Sequence, residues 1–425
     1  MTRRSSRVSR FTLTLTLAAV LAAPIRAQQA SAGGACAPDN AGLTLPRGFC
    51  AQLVGENLGR VRHLAVAPNG DVFAAKADGG VVALRDTTGD GRADVVETFF
   101  GGPGGSGLAL QVGRANESAV YFAPNSHVLR LPWKPGELMP TGPPDTIVMS
   151  LPTGGHGAKG LAFGLDNALF VSFGSATNSC QPPEGDRKGP VPGISPCIEL
   201  EQRAGVWRFD AHKQKQTPAD GRRWATGLRN PMALTIQPGT GTLYTAVHGR
   251  DNLAENWGFS AEEGRENPAE VVFALPEGTD GGWPYCYFDS RKKVRLLNPE
   301  YGGDGNKAGT CDTKATPAVS FPGHWAPNAA LFYAGSQFPP QYRGGLFVAF
   351  HGSWNRRPAP QEGFRVTFSP FQNGKATGTY ETFASPSGEP TSIRPSGLAV
   401  GPDGSLYIGA DAQGKIWKVM YVGEK

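Results

Sequence analysis

Six times along the chain, a run of small or apolar residues leads into a Pro/Asn/Asp/Gly turn and out into an alternating apolar strand. The copies are LAVAPNGDVFAA from Leu64, a weaker LALQVGRANESAVYFA from Leu108, LAFGLDNALFVSF from Leu161 and MALTIQPGTGTLYTAV from Met232. LFYAGSQFPPQYRGGLFVAF from Leu331 has a longer turn, and GLAVGPDGSLYIGADAQGKIWKVM from Gly397 is the last. Each predicts a β-hairpin, because pairs such as Asn69-Gly70 and Asp403-Gly404 supply the positive φ that tight turns need. Six hairpins spread over one chain predict an all-β fold, a six-bladed β-propeller.

The spacing of the copies is uneven, from roughly 45 to roughly 100 residues, against about 40–50 for ordinary propeller repeats. Insertions are therefore expected in blades four and five, near residues 180–200 and 255–320. The 58 glycines and 36 prolines support many short strands joined by turns rather than long helices. In a propeller the inner strands line a central channel and the loops at one mouth form the site, so polar residues at strand ends are the ones to inspect.

The N-terminus reads as a processing segment. Arg3, Arg4, Arg7 and Arg10 precede an apolar run, Phe11 to Ala23, that is too short to span a bilayer. This predicts a signal peptide over residues 1–27, cleaved after Ala27 or after Ala32, and a single propeller domain over 28–425 in the periplasm or outside the cell. The formal net charge of +5 is a property of that leader. It holds five of the 41 basic residues, so the remainder has 36 basic and 36 acidic residues. Nothing in that balance favours nucleic acid, and no stretch predicts a membrane span. The six cysteines fall as local pairs, Cys36/Cys50, Cys180/Cys197 and Cys286/Cys311, and nearest-neighbour disulfides are expected in an exported chain. A haem-attachment motif is missing, so electrons from any redox reaction would pass to an external acceptor such as a separate cytochrome c or a quinone.

Several polar stretches sit where strands should end. His156 lies in GHGAKG before the third hairpin, and a histidine near its ordinary pKa is the usual proton acceptor at neutral pH. Arg229 and Asn230 precede Pro231, which holds the backbone before it extended. His248-Gly-Arg-Asp251 ends the same hairpin. HGSWNRRP, from His351, follows the apolar run Leu346–Phe350 at the end of an expected inner strand. Arg62 precedes the first repeat and Arg394 the last. Arginines converging from several blades (Arg62, Arg229, Arg356 or Arg357, and Arg394) make an anion site, since guanidinium pairs with carboxylates. Taken singly, each is equally a surface salt-bridge residue. Asp86, Asp90, Asp94 and Glu97 occupy positions 1, 5, 9 and 12 of an EF-hand-like loop, though with Thr and Ala at positions 3 and 8 and without flanking helices. That loop reads either as a calcium-binding hairpin or as a solvated turn.

Together, GHGAKGLAFG, GLRNPMALTIQPGTGTLYTAVHGRD, GGWPYCY, FPGHWAPNAALFY, YRGGLFVAFHGSWNRRP and RPSGLAVGPDGSLYIG resemble the secreted glucose/sorbosone dehydrogenases. These are soluble quinoproteins that use pyrroloquinoline quinone (PQQ). The likeness is strongest to the sorbosone dehydrogenase-like, or pyranose dehydrogenase, branch. The resemblance implies a six-bladed propeller that oxidises an aldose, pyranose or sugar aldehyde by hydride transfer to the quinone. His156 would be the general base. Arg229 and Asn230 would contact the quinone oxygens, with Arg229 stabilising the oxyanion that develops there. Arg394 would grip a PQQ carboxylate, and His351 and Arg62 would be further cofactor contacts. The carbonyls of Gly249 and Arg250 would hold calcium. Trp354 reads as a packing lid. In the glucose enzymes an aspartate in the next strand orients the histidine, whereas here Ser175 and Asn178 are the neutral candidates. The rival readings are a calcium-dependent propeller lactonase, which needs acids and amides at the channel, and a non-catalytic propeller that binds carbohydrate or a partner.

Overall fold

The computed structural model describes residues 1–2, 36–113 and 117–424. The expected leader lies outside them, apart from its first two residues. The remainder builds six four-stranded antiparallel units, two of them extended by a fifth strand. Their innermost strands are Val61–Val66, Gly105–Gln111, Leu161–Phe163, Ala233–Ile236, Pro327–Phe332 and Pro395–Val400. Each packs beside the next, and the last packs beside the first, so the ring is closed. This is a six-bladed β-propeller. Each sequence repeat is the inner hairpin of one blade, for example Val61–Val66 with Val72–Lys76 and Pro395–Val400 with Leu406–Ala410.

The second strand of a blade is covered on both faces by neighbouring blades, so it is apolar throughout rather than alternating. Ala119–Pro124, Ala168–Phe173, Leu243–Val247, Leu346–Phe350 and Leu406–Ala410 are buried at every position. The outer strand Val95–Phe100, with one face in water, is mostly exposed. The strand Phe49–Gly55, which precedes the first blade in sequence, completes the sixth by pairing antiparallel with Lys415–Tyr421 and so ties the two ends of the ring together. Leu43–Thr44 adds to the outside of the fifth blade.

The three expected disulfides are present: Cys36–Cys50, Cys180–Cys197 and Cys286–Cys311. The insertions belong to the third and fourth blades, not the fourth and fifth. Residues 174–204 leave the third blade between its second and third strands, and two excursions in the fourth blade cover 248–268 and 275–318. The reason is register, since each insert follows an inner hairpin already counted and so extends that blade. HGSWNRRP follows the second strand of its blade, not the innermost. Among the described residues no helix is long and apolar enough to cross a membrane.

Candidate functional site

Antiparallel pairing puts the start of each innermost strand and the end of each second strand at one mouth. His156, Arg229, Asn230 and Arg394 precede innermost strands, and Arg62 is the second residue of one. His248, Gly249, Arg250, Asp251, His351 and Asp411 follow second strands. The fold therefore gathers residues from positions 62 to 411 at one end.

Two clusters form there, each built on a buried carboxylate. In the first, Asp251 Oδ2 accepts from Arg229 Nη2 at 3.0 Å and from Arg187 Nη1 at 2.8 Å, and Oδ1 accepts from Asn355 Nδ2 at 2.8 Å. His324 Nδ1 lies 3.5 Å from Oδ1. Burial alone would raise the Asp251 pKa, but the Arg229 charge and the His324 contact hold it well below the usual carboxylate range. Arg229 is held firmly, also donating to both Asn178 oxygens and to the Gly249 carbonyl at 2.6 Å, which leaves one Nη1 hydrogen uncommitted. These groups, with His156, His248, Glu270 and Trp354, line a cavity of about 160 Å³.

His156 faces this cavity in a defined tautomer. The Ser175 hydroxyl donates to the Thr177 carbonyl, so both Ser175 oxygens near the ring are acceptors. Nδ1–H therefore donates to them, at 2.9 and 3.1 Å, and Nε2 carries the lone pair. Burial, then the Arg229 charge, then His248 push the His156 pKa well down, against the opposing pull of Asp251. Of the two neutral candidates for orienting this ring, Ser175 does so, whereas Asn178 braces Arg229 and the Asp251 backbone. Burial likewise lowers His248 to about 4, with its Nε2–H donating to the Pro327 carbonyl at 2.9 Å. Glu270 is pushed up to about 7 by burial, and its carboxylate accepts from the Gly249 and Ala326 backbone N–H groups.

In the second cluster, Asp411 accepts from His351 Nε2 at 2.8 Å and lies 3.3 Å from Arg62 Nη2. Burial raises the Asp411 pKa, but His351 and Arg62 together bring it below the ordinary value. Arg394 stacks over the Phe364 ring at 4.9 Å and reaches the His351 carbonyl at 3.4 Å. The His351 backbone N–H donates to the carbonyl of Ala326 at 2.9 Å, and Ala326 lines the first cavity, so the clusters adjoin.

Other expectations fare differently. Arg356 is buried in the fold, held by Glu266 and the carbonyls of Arg265 and Gly323, so it is no part of the convergent anion site, and Arg357 is exposed. Trp354 is exposed rather than packed. The Arg250 guanidinium turns into the core to pair with Glu300. Asp86, Asp90, Asp94 and Glu97 are not gathered as metal ligands. Asp86, Asp90 and Asp94 lie on the loop between the third and fourth strands of the first blade, at the opposite end from the mouth, and Glu97 lies within the fourth strand. Asp86 accepts from the backbone N–H groups of Thr88, Gly89 and Gly91, Asp94 from those of Thr87 and Thr88, and Asp90 from that of Arg92. Their spacing encodes turn geometry. Among the described residues, no group of three or more His, Cys, Asp or Glu side chains is placed to hold a metal ion. Glu270 escaped the sequence reading, and Asp251, Asp411, His324 and Asn355 stood in quoted stretches without a role of their own. The available signal was position, because Asp251 and Asp411 follow second strands just as His351 does.

The fold and the mouth define a six-bladed propeller with acid-anchored arginines and histidines around a polar cavity. The TrAA12-like family model matches residues 43–422, and the chain belongs to that family. The chain is 28% identical over 251 residues to a pyrroloquinoline quinone-dependent pyranose dehydrogenase of Coprinopsis cinerea, across 50% of this chain and 33% of that one. It thus aligns with only about a third of that protein. The holo PQQ domain of the Coprinopsis cinerea pyranose dehydrogenase superposes with a TM-score of 0.72 at 19% identity, covering 89% of this chain and 97% of that one. A calcium structure of the Trichoderma reesei family AA12 enzyme gives 0.74 at 19% identity, over 89% and 97%.

Proposed function

We propose that the chain is an exported dehydrogenase that oxidises a sugar with PQQ as cofactor. The observation that carries this reading is the meeting of His156, with a bare Nε2, and Arg229 in one buried polar cavity, beside a second basic cluster. The residues fit the cofactor. Asn230 Oδ1 and Arg62 Nε are buried without a hydrogen-bond partner, and Arg62, Arg394 and His351 offer donors to carboxylates. Arg62, Arg229, Asn230, His351 and Arg394 would hold PQQ, which supplies the hydride acceptor when bound.

The protein's share of the chemistry follows from its own groups. His156 Nε2 takes the proton of a hydroxyl on the carbon being oxidised, while Ser175 fixes the ring through Nδ1. Asp251 lies close enough to favour the imidazolium, which supplies the charge that a neutral Ser175 lacks. Arg229, braced by Asn178 and Asp251, is a fixed positive charge for a developing oxyanion. Calcium belongs at the Gly249–Arg250 turn in this proposal. The Gly249 carbonyl already accepts from Arg229, so an ion there would compete with that guanidinium for the oxygen. The lactonase reading is less well supported, because Asp251 and Glu270 are already engaged by arginines and backbone N–H groups.

The test is reconstitution with PQQ and calcium, followed by dye reduction with aldoses and sorbosone. His156→Ala should lose about 100-fold or more in turnover while the absorbance of bound PQQ is retained. Absence of both reduction and cofactor binding in the wild-type protein would overturn the reading. Retained turnover in the variant would remove His156 as the base.

A further inference from the structure

Trp354 is 67% exposed, and the chain on either side of it is not. Ser353 is 1% exposed, with its N–H on the Glu362 carbonyl and its hydroxyl on Gln361 Oε1, each at 2.8 Å. Asn355 donates to Asp251 at 2.8 Å. Arg356 is 2% exposed and donates to Glu266 at 2.9 Å. The indole is thus held between anchors, so the loop cannot fold it onto the surface. Among the described residues it makes no hydrogen bond and no ring contact, yet it borders the cavity of His156 and Arg229. Holding a large apolar ring in water forgoes about 1.5–3 kcal/mol of burial, and the anchoring keeps its face free.

Beside it stand Arg187, whose side chain is 38% exposed and spends only Nη1 on Asp251, and Asn355. A flat apolar face flanked by amide and guanidinium donors matches one ligand chemistry, a ring with an apolar C–H face and equatorial hydroxyls. We propose that Trp354 is the stacking platform of a pyranose subsite at the cavity entrance, with Arg187 and Asn355 serving the ring hydroxyls. The proposal rests on the sugar-oxidation reading and narrows its substrate to a closed pyranose over an open-chain sugar aldehyde.

The wild-type protein, Trp354→Ala and Trp354→Phe are loaded with PQQ and calcium. Each is assayed with an aldopyranose and with glycolaldehyde, and the binding of a methyl pyranoside is measured by calorimetry. The Ala variant should raise KM for the aldopyranose roughly three- to tenfold, well beyond its effect on kcat or on the glycolaldehyde KM. Pyranoside affinity should fall by the same factor, and Phe should restore most of both. Equal losses for pyranose and glycolaldehyde, or equal pyranoside binding by wild type and the Ala variant, would overturn the proposal. Trp354-dependent pyranoside binding without any turnover would keep the subsite and remove the dehydrogenase reading.

Discussion

The two ends of the propeller each carry a buried acid facing arginines, Asp71 at one and Asp251 or Asp411 at the other, but the partners come from different distances. Away from the mouth, buried Asp71 pairs with Arg85, and exposed Asp403 and Asp166 pair with Lys418 and Arg208, each within one blade; the pairs that do cross blades there, Arg222 with Glu277 and Arg92 with Glu56, are exposed. At the mouth, Asp251 of the fourth blade holds Arg187 from the third-blade insert and Asn355 from the fifth blade. Asp411 of the sixth blade meets His351 of the fifth and Arg62 of the first. A pair inside one blade holds its own hairpin. A carboxylate shared between blades fixes the relative position of groups that no single blade could place, as a catalytic constellation requires.

Replacing the central acid at each end is the strongest way to break this contrast. Asp251→Asn keeps the shape but leaves two buried or half-buried guanidinium groups without their carboxylate. We expect a loss of roughly 3–5 kcal/mol in urea denaturation and, if His156 is the base as proposed, at least about tenfold lower turnover per folded molecule, since the ring loses the anion that favours its protonated form. Asp71→Asn should weaken folding while leaving turnover per folded molecule unchanged. Equal catalytic effects from the two variants would erase the distinction.

The same contrast explains what the sequence made legible. The six hairpins were readable because turn chemistry at Asn69-Gly70 or Asp403-Gly404 is local, and the disulfides because each closes a short span. The mouth residues were readable as a set because strand ends fall in register with the repeats. Asp251 and Asp411 were not, since their partners are 22 to 104 positions away for Asp251 and 60 away or more for Asp411. Asp86–Glu97 stayed open between two readings for the complementary reason. Closely spaced acids and glycines describe an Asx-type turn as well as they describe a metal loop, and only the turn finds its donors in adjacent backbone.

A pH measurement sharpens the comparison along the channel wall between the two ends. His63, whose Nε2–H donates to the Asn328 carbonyl at 2.8 Å, is lowered to about 4 by burial, as is His248. The unfolded chain binds the extra proton between that value and the ordinary 6.5, so stability falls with pH through this window, by roughly 3 kcal/mol for each histidine. Glu270 works with the opposite sign. Its pKa is raised to about 7, so its contribution is present below its unfolded value of 4.5 and is lost as pH rises towards 7. His63→Asn keeps a donor for Asn328 but removes one titration. Its stability should depend on pH less steeply between 6.5 and 4, by up to about 1.4 kcal/mol per pH unit. Coincident slopes would show that His63 is not held neutral.

The smallest effect is expected at the far end, where Asp94 accepts three hydrogen bonds from Thr87 and Thr88. Those bonds lower its pKa, with the Thr87 backbone N–H the largest contributor. If the loop is a self-satisfied turn, Asp94→Ala should leave any calcium-induced rise in Tm at its wild-type size, because the variant removes turn hydrogen bonds and no ligand. A rise present in the wild-type protein and absent from this variant would return the loop to metal binding. It would also place a functional ion at the end whose buried acid, Asp71, is paired within its own blade, and the contrast between the two ends would then fail.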